Sequence, residues 1–459
     1  MLVTAALIHI ALAVGLFWAG RAQVAPTFID RDGIMDSFAF DSYEYQRGAV
    51  KLTEVLKQDG VVAWAGTSAP IHVKVVSLLF ALLGPLFGHG PLSAEPFNLL
   101  CYLVVVGLTL VLGRELGGAR AGLLAAWVVA LWPTFLLHTL QLLKDPLFIA
   151  GALALVLCLT TWLTRTYSPR KAIVIGAFTA VAVSLLLLIR PAFAFVIFAL
   201  VLFGLILLII RQLMERRLLC WNMLSPVLIL AVGVLLLLSL SPRGGQKLKH
   251  YPSDQGGQPK AATSDGVKVP TDISYLPRTR SDEESPTTYT GRLYAWAHRM
   301  GLRVGSVRYR FAAIYSESGS NIDPEKRFGN LKDLFLYLPR AFEIGCCAPF
   351  PKMWIAAGKR VGSAGKLLSG AETFIMYLFE LLALVAVFRP PHRLAAWLLL
   401  STSAFGMTLL GLVVPNVGAL YRFRYIFWML LIILGAKGLE AVLMSFKQRS
   451  GVRPAQAVS

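Results

Sequence analysis

Ten apolar stretches of near-membrane length, most of them joined by short connections, constrain this chain more than any other feature. They lie near 2–19, 93–112, 121–138, 146–163, 172–189, 192–210, 223–240, 368–388, 394–414 and 420–442. About 20 helical residues cross a bilayer. Inside the bilayer every backbone N–H and C=O must find a partner within the protein, and a run without strict alternation does this as a helix. The composition agrees: 56% of residues are hydrophobic and 15% charged, where soluble domains average about 45–50% and about 25%. The expected fold is therefore an all-α polytopic membrane protein with about ten transmembrane helices. An eleventh apolar run, 71–88, carries His72 and Lys74 and is interrupted by Gly84-Pro85. Thr67-Ser-Ala-Pro70 before it and Lys74 within it favour an interfacial or re-entrant helix over a crossing one.

The net charge of +19 does not call for a nucleic acid, because most of it sits in short loops and one long polar loop. With the N-terminus inside and 71–88 not crossing, the inside connections carry Arg114 and Arg120, then Arg165, Arg170 and Lys171, then Arg211, Arg216 and Arg217, then Arg389 and Arg393, and finally Lys447, Arg449 and Arg453. Every inside loop is positive, as the positive-inside rule requires, and both termini are then cytoplasmic. If 71–88 crossed, residues 20–70 would be cytoplasmic instead. The first run has no basic leader and no small-residue cleavage site, so it reads as a retained signal anchor.

Three regions follow. Residues 1–240 form an N-terminal membrane module whose outer loop, 20–92, carries the candidate site. Residues 241–367 form a long extracytoplasmic loop. Residues 368–459 form a C-terminal three-helix module with a cytoplasmic tail. The loop's first part, 242–290, is rich in Gly, Pro, Ser, Thr and charge and reads as disordered. Its second part, 291–366, has short helical patterns and aromatic residues suited to a small membrane-facing lid. Within it, Asp323-Pro324 reads as an N-cap followed by Pro at the first helical position. The loop is basic, which fits an anionic lipid or phosphate nearby, or a face that meets lipid headgroups. Cys101 and Cys158 lie in apolar runs as small hydrophobes. A disulfide between adjacent Cys346 and Cys347 would be strained, so these read as free thiols or lipid-facing residues. No Cys/His spacing marks a metal site.

The outer loop's key stretch runs from Phe38 to Leu52. Tyr45, Ala49, Leu52 and Leu56 share one helical face, so this reads as an amphipathic helix on the membrane surface with Asp41 and Glu44 at its head. Asp41-x-x-Glu44 is equally a capping box, and a cap can also be catalytic. In this topology other ionisable residues converge on the same outer face. Lys144-Asp145-Pro146 opens the fourth run. Arg190-Pro191 lies between the fifth and sixth. Arg422 and Arg424 stand at the mouth of the last. Such groups at membrane depth are costly and point to function. Each has a plainer reading. Asp145 would be an N-cap before Pro146, and Arg190 would reach to headgroups. Of Arg422 and Arg424, one would face the cleft and one the headgroups.

Two carboxylates facing several cations at a lipid–water boundary suit group transfer from a lipid-linked phosphate donor. A carboxylate among Asp41, Glu44 and Asp145 would take the acceptor hydroxyl's proton. Lys144, Arg190, Arg422, Arg424, His72 or a divalent metal would hold the departing phosphate.

With these residues in place, the chain resembles the GT-C class of membrane glycosyltransferases, nearest to lipid A aminoarabinose transferases and protein O-mannosyltransferases. Their Asp-Glu followed by Tyr is matched by Asp41 and Tyr45. Their Pro-containing helix ending in Phe-Gly is matched from Ala69-Pro70 to Phe87-Gly88, and their later Asp-Pro by Asp145-Pro146. The likeness covers roughly 1–165. It implies Asp41 as catalytic base, a polyprenyl-phosphate-sugar donor, an unidentified saccharide, lipid or protein acceptor, and a place in a bacterial inner membrane. Where the family has its second acidic residue this chain has Ser42, which puts a metal role in doubt. The alternatives are a transporter or flippase of lipid-linked saccharide, or a polysaccharide polymerase or ligase. Transporters carry internal repeats and midplane sites, and neither is evident here.

Overall fold

In the computed structural model, the structure describes residues 1–35, 39, 41–216, 220–229, 231–232, 289–314, 320–355 and 362–449. The expected disordered stretch 242–290, apart from its last two residues, and half of the run 223–240 lie outside the described residues. Every regular element among the described residues is helical, and the one β-bridge joins Asn321 to Asn416. Eight helices are long and apolar enough to cross a membrane. The chain is an all-α polytopic membrane protein, as the apolar runs required.

The helix α1 spans Leu2–Arg21. Three helices fill the first loop: α2 over Asp41–Gln58, α3 over Gly60–Gly66 and α4 over Ile71–Phe87. Helix α5, Pro91–Ala130, has 40 residues, but Gly118 inside it has φ 86° and ψ −178°. Side chains rarely adopt this conformation, and glycine adopts it freely. There the helix doubles back. The Tyr102 hydroxyl donates to the Ala130 carbonyl at 2.8 Å, and a Cβ on Gly113 would lie 2.7 Å from Gly122 Cα. The two arms correspond to the separate runs 93–112 and 121–138. The second arm breaks at Trp132 and continues as α6, Pro133–Thr139.

Next come α7, Asp145–Thr164; α8, Pro169–Ile189; and α9, Ala194–Met214. The second part of the long loop contains α10, Tyr289–Ile314; α11, Leu331–Cys347; and α12, Pro351–Trp354. The last membrane helices are α13, Gly362–Phe388, and α14, Arg393–Val413. The final run divides at Arg424 into α15, Val417–Phe423, and α16, Tyr425–Arg449.

Packing fixes how these helices sit. Helix α16 lies against α5 and α6 through Trp428 on Trp132 and Tyr425 on Phe135. Helix α11 lies so close to α14 that a Cβ on Gly411 would sit 1.9 Å from the Ala341 carbonyl. The loop is docked by Arg308 of α10, 1% exposed. Its guanidinium donates to the carbonyls of Gly411, Leu412, Ile322 and Asp323 at 3.0–3.1 Å. Two of these are carbonyls at the end of α14, which have no partner within the helix. Asp323 has φ 47° and is not an N-cap. It instead accepts from the Tyr337 hydroxyl at 2.8 Å and from Arg340 Nε at 3.1 Å.

The segment between α1 and α5 begins and ends at one end of the bundle, since Gly88 stands beside the Arg21 guanidinium. Helix α4 is parallel to the polar α2: Tyr45 stacks edge-on against His72, and the Thr53 hydroxyl donates to the Ser77 carbonyl. Its 17 residues are shorter than any of the eight candidate spans. On α2 the buried residues are Ser42, Ala49, Leu52 and Thr53. Tyr45 and Leu56 of the expected apolar face are only half-buried.

Candidate functional site

The head of α2, the starts of α4 and α7, the end of α8 and the whole of α15 meet at one end of the bundle. Asp41 is the first residue of α2. Its Oδ2 accepts from Arg422 Nη2 at 2.6 Å. Asp145 is the first residue of α7, one place inside the N-cap, which is Lys144. Asp145 Oδ1 is hydrogen-bonded to Arg190, and Oδ2 lies 3.5 Å from Arg422 Nε. Two carboxylates and two guanidinium groups thus form one chain of contacts from the mouth inward. The Asp41 side chain is 36% exposed, against 11% for Arg422 and 9% for Asp145.

Aromatic rings wall this array. The Arg190 guanidinium lies over Phe148, Phe193 and Phe423, each within 6 Å. Lys144 Nζ lies over Tyr45 at 5.8 Å, and His72 meets the same ring edge-on at 4.6 Å. Burial, and then the charges of Asp41 and Asp145, push the Tyr45 phenol up to about 12, so it stays an O–H. Burial, reinforced by Lys144, pushes His72 down to about 4, so its imidazole is neutral at neutral pH. His72 Nε2 is buried without a hydrogen-bond partner. Burial and Arg190 lower the Lys144 ammonium. A cation for phosphate at this site is therefore Arg or Lys, and His72 offers a neutral nitrogen.

The loop after α1 is held in place by Gln141. Its Oε1 accepts from Met35 N at 3.1 Å, and its Nε2 donates to the Gly33 carbonyl. Gln46 of α2 bonds both Asp32 Oδ2 and the His89 carbonyl. These two amides fix the approach of α2, and with it Asp41.

Of the residues singled out from sequence, Asp41, His72, Lys144, Asp145, Arg190 and Arg422 come together. Glu44 does not join them; it lies on the exposed side of α2. Arg424 faces neither the cleft nor headgroups. It is fully buried, bonded to the Gly345 carbonyl and stacked 3.9 Å above the Trp428 ring. A short helix, α15, followed by a break turns Arg422 and Arg424 to different surroundings. Among the described residues, no group of three His, Cys, Asp or Glu side chains is placed to hold a metal ion.

Sequence reasoning passed over three buried polar contacts near this end. His9 of α1 bonds Glu95 Oε1 at 2.7 Å and the Thr139 hydroxyl at 3.0 Å. The Glu372 carboxylate takes both the N–H and the hydroxyl of Thr134, and the Tyr421 hydroxyl. His138 contacts the Tyr425 hydroxyl at 2.8 Å. Lone ionisable residues inside apolar runs were the available signal.

The opposite end of the bundle gathers the basic connections. Glu115 pairs with Arg165, Arg211 donates to the carbonyls of Trp162 and Arg165, and Lys437 donates to the Pro391 carbonyl at 2.8 Å.

Comparisons with known proteins add the following. Residues 96–278 match the model of a family described as "Predicted membrane protein (DUF2142)". Among solved structures, the chain is similar to ArnT from Cupriavidus metallidurans bound to undecaprenyl phosphate. The TM-score is 0.44 at 13% identity, covering 99% of this chain and 66% of that one. The chain thus spans just under two thirds of that structure's length. No curated protein matches.

Proposed function

We propose that this chain is a membrane glycosyltransferase of GT-C type, moving a sugar from a polyprenyl-phosphate donor to an acceptor hydroxyl on the extracytoplasmic face. The observation that carries this reading is the Asp41–Arg422–Asp145–Arg190 array at one end of the bundle, open at Asp41 and closed at Asp145. In this reading Asp41 takes the proton of the acceptor hydroxyl, and the acceptor oxygen bonds the anomeric carbon. The bond from that carbon to the phosphate oxygen breaks. Its electron pair stays on the phosphate, where Arg422 and Arg190 offset the new charge. Asp145 holds both guanidinium groups in position, and Lys144 adds a third cation beside Tyr45. The basic residues at the opposite end of the bundle support a cytoplasmic placement for that end.

The test is consumption of a polyprenyl-phosphate-linked sugar by purified protein, wild type against Asp41→Asn. Asn cannot accept the proton at neutral pH, and general-base catalysis is worth about 10²–10⁴-fold. A loss of that order supports the proposal. Near-normal turnover in Asp41→Asn removes Asp41 as base.

A further inference from the structure

Arg422 is the only cation of the array that touches both carboxylates, and it holds them unequally. Asp145 is 9% exposed and bonded to Arg190 as well as close to Arg422. Asp41 is 36% exposed and reaches the array through Arg422 Nη2 alone among its hydrogen bonds. The Arg422 side chain that carries Nη2 is itself 11% exposed. An anion arriving from the open side meets Arg422 where Asp41 already sits. Of the two carboxylates, only Asp41 can leave without stranding a buried charge.

We infer that Asp41 and the donor's phosphate compete for Arg422, so that donor binding is what frees the carboxylate to act as a base. This rests on the glycosyltransferase reading and adds a control to it. Charge bookkeeping agrees. Lys144, Arg190 and Arg422 stand against Asp41 and Asp145, leaving one net positive charge, which a polyprenyl phosphodiester matches with its single negative one. Without donor, the base stays engaged with Arg422. With donor, Arg422 turns to phosphate and Asp41 faces the acceptor side.

The experiment measures binding, not turnover. Undecaprenyl phosphate is titrated into detergent-purified full-length protein, for wild type, Asp41→Asn, Asp41→Ala, Arg422→Gln and the Asp41→Asn/Arg422→Gln pair, each checked for an intact melting transition. If Asp41 is a competitor, both Asp41 variants bind tighter than wild type, by up to about 5-fold, the range of a part-exposed ion pair. Arg422→Gln binds more weakly, and in that background Asp41→Asn gives no gain. Equal or weaker binding in both Asp41 variants overturns the inference. So does a gain that persists without Arg422, because removal of a negative charge would then explain it. A parallel titration with inorganic phosphate separates the sources of the anion. The same ranking there assigns the competition to the phosphoryl group itself, and a ranking seen only with the lipid assigns it to the docked headgroup. The outcome is independent of the base assignment: tighter binding with normal turnover in Asp41→Asn would keep the competition and discard the catalytic role.

Discussion

Asp41 and Arg422 stand 381 residues apart in the chain and 2.6 Å apart in the fold. One opens the first juxtamembrane helix and the other belongs to a seven-residue helix before the last span. Their contact joins the two ends of the chain across the mouth of the bundle. Its stability is expected to be modest, because Asp41 is partly exposed. Asp41→Ala should cost no more than about 1 kcal/mol. Asp145→Ala should cost about 3–5 kcal/mol, because it leaves Arg190 and Arg422 largely buried without their shared carboxylate. Thermal melts of the two variants in one detergent check this, and comparable losses would show that the array is not graded from mouth to interior.

Donor affinity should follow the guanidinium groups. Arg190→Gln and Arg422→Gln each remove a charge-assisted bond worth about 1.5–3 kcal/mol, or roughly 10- to 150-fold in affinity. Arg424→Gln should leave donor affinity unchanged while lowering the melting temperature, since Arg424 is bonded to Gly345 and stacked on Trp428 inside the bundle. Titration of the three variants with undecaprenyl phosphate distinguishes them. An affinity loss confined to Arg424→Gln would relocate the phosphate.

How far the sequence reaches is clearest at Arg422 and Arg424. Periodicity shows that residues two apart on a helix diverge, and it identifies both as candidates. Which of them meets the cleft depends on where α15 breaks and on what α11 and α13 place around Arg424, and neither is encoded locally. The apolar runs identify the crossing segments because hydrocarbon length imposes one pattern on every one of them. They also separate 93–112 from 121–138, which the fold joins in one hairpin at Gly118. Asp41, Asp145 and Arg190 are legible as costly charges near span ends. Their pairing with partners is not, nor is His9 with Glu95, because a partner 45 or more residues away leaves no local trace. Asp323-Pro324 carries a cap signature, but its carboxylate is drawn to Tyr337 and Arg340 and no helix starts there.

His72 gives the site a pH signature. Its pKa in the fold is about 4, against about 6.5 for an unperturbed imidazole. The fold therefore favours the neutral ring. The contribution is complete above about pH 6.5 and is lost as pH falls from there toward 4, where the unfolded chain binds the proton first. At pH 5 the loss amounts to about 2 kcal/mol. Chemical denaturation at pH 7.5 and pH 5 should show wild type losing about that much more than His72→Gln. Equal losses would mean that His72 is not held neutral.

The docked loop should respond to glycines that permit close approach. A Cβ at position 411 would lie 1.9 Å from the Ala341 carbonyl, and one at 345 would lie 2.0 Å from the Met407 carbonyl. Neither neighbour is the end of a flexible side chain. Gly411→Ala and Gly345→Ala should each cost about 1–3 kcal/mol, the usual range for overpacking. Hydrogen exchange should show lost protection in α11 and the end of α14, with the α2–α4 region unchanged. Gly107, whose Cβ would meet nothing within 4 Å, is the matched control. Uniform loss of protection would show that the loop helices unfold together with the bundle.

The last prediction concerns which way the bundle faces. Arg165 and Arg211 share the end opposite the Asp41 array. Basic connections of this kind remain on the cytoplasmic side. Asp59, Arg170 and Arg216 are all exposed, so a cysteine at each can be reached by a membrane-impermeant maleimide if it faces the reagent. All five native cysteines are free thiols; Cys101, Cys158 and Cys346 are buried, and Cys220 and Cys347 are half-buried. A background with the latter two replaced by Ser keeps the labelling clean. In intact cells Asp59→Cys should label, while Arg170→Cys and Arg216→Cys should label only after the membrane is opened. The reverse pattern would place Asp41 and Arg422 on the cytoplasmic side. There a flipped lipid-linked sugar would be out of reach, and a transporter of lipid-linked saccharide would become the better reading of the same array.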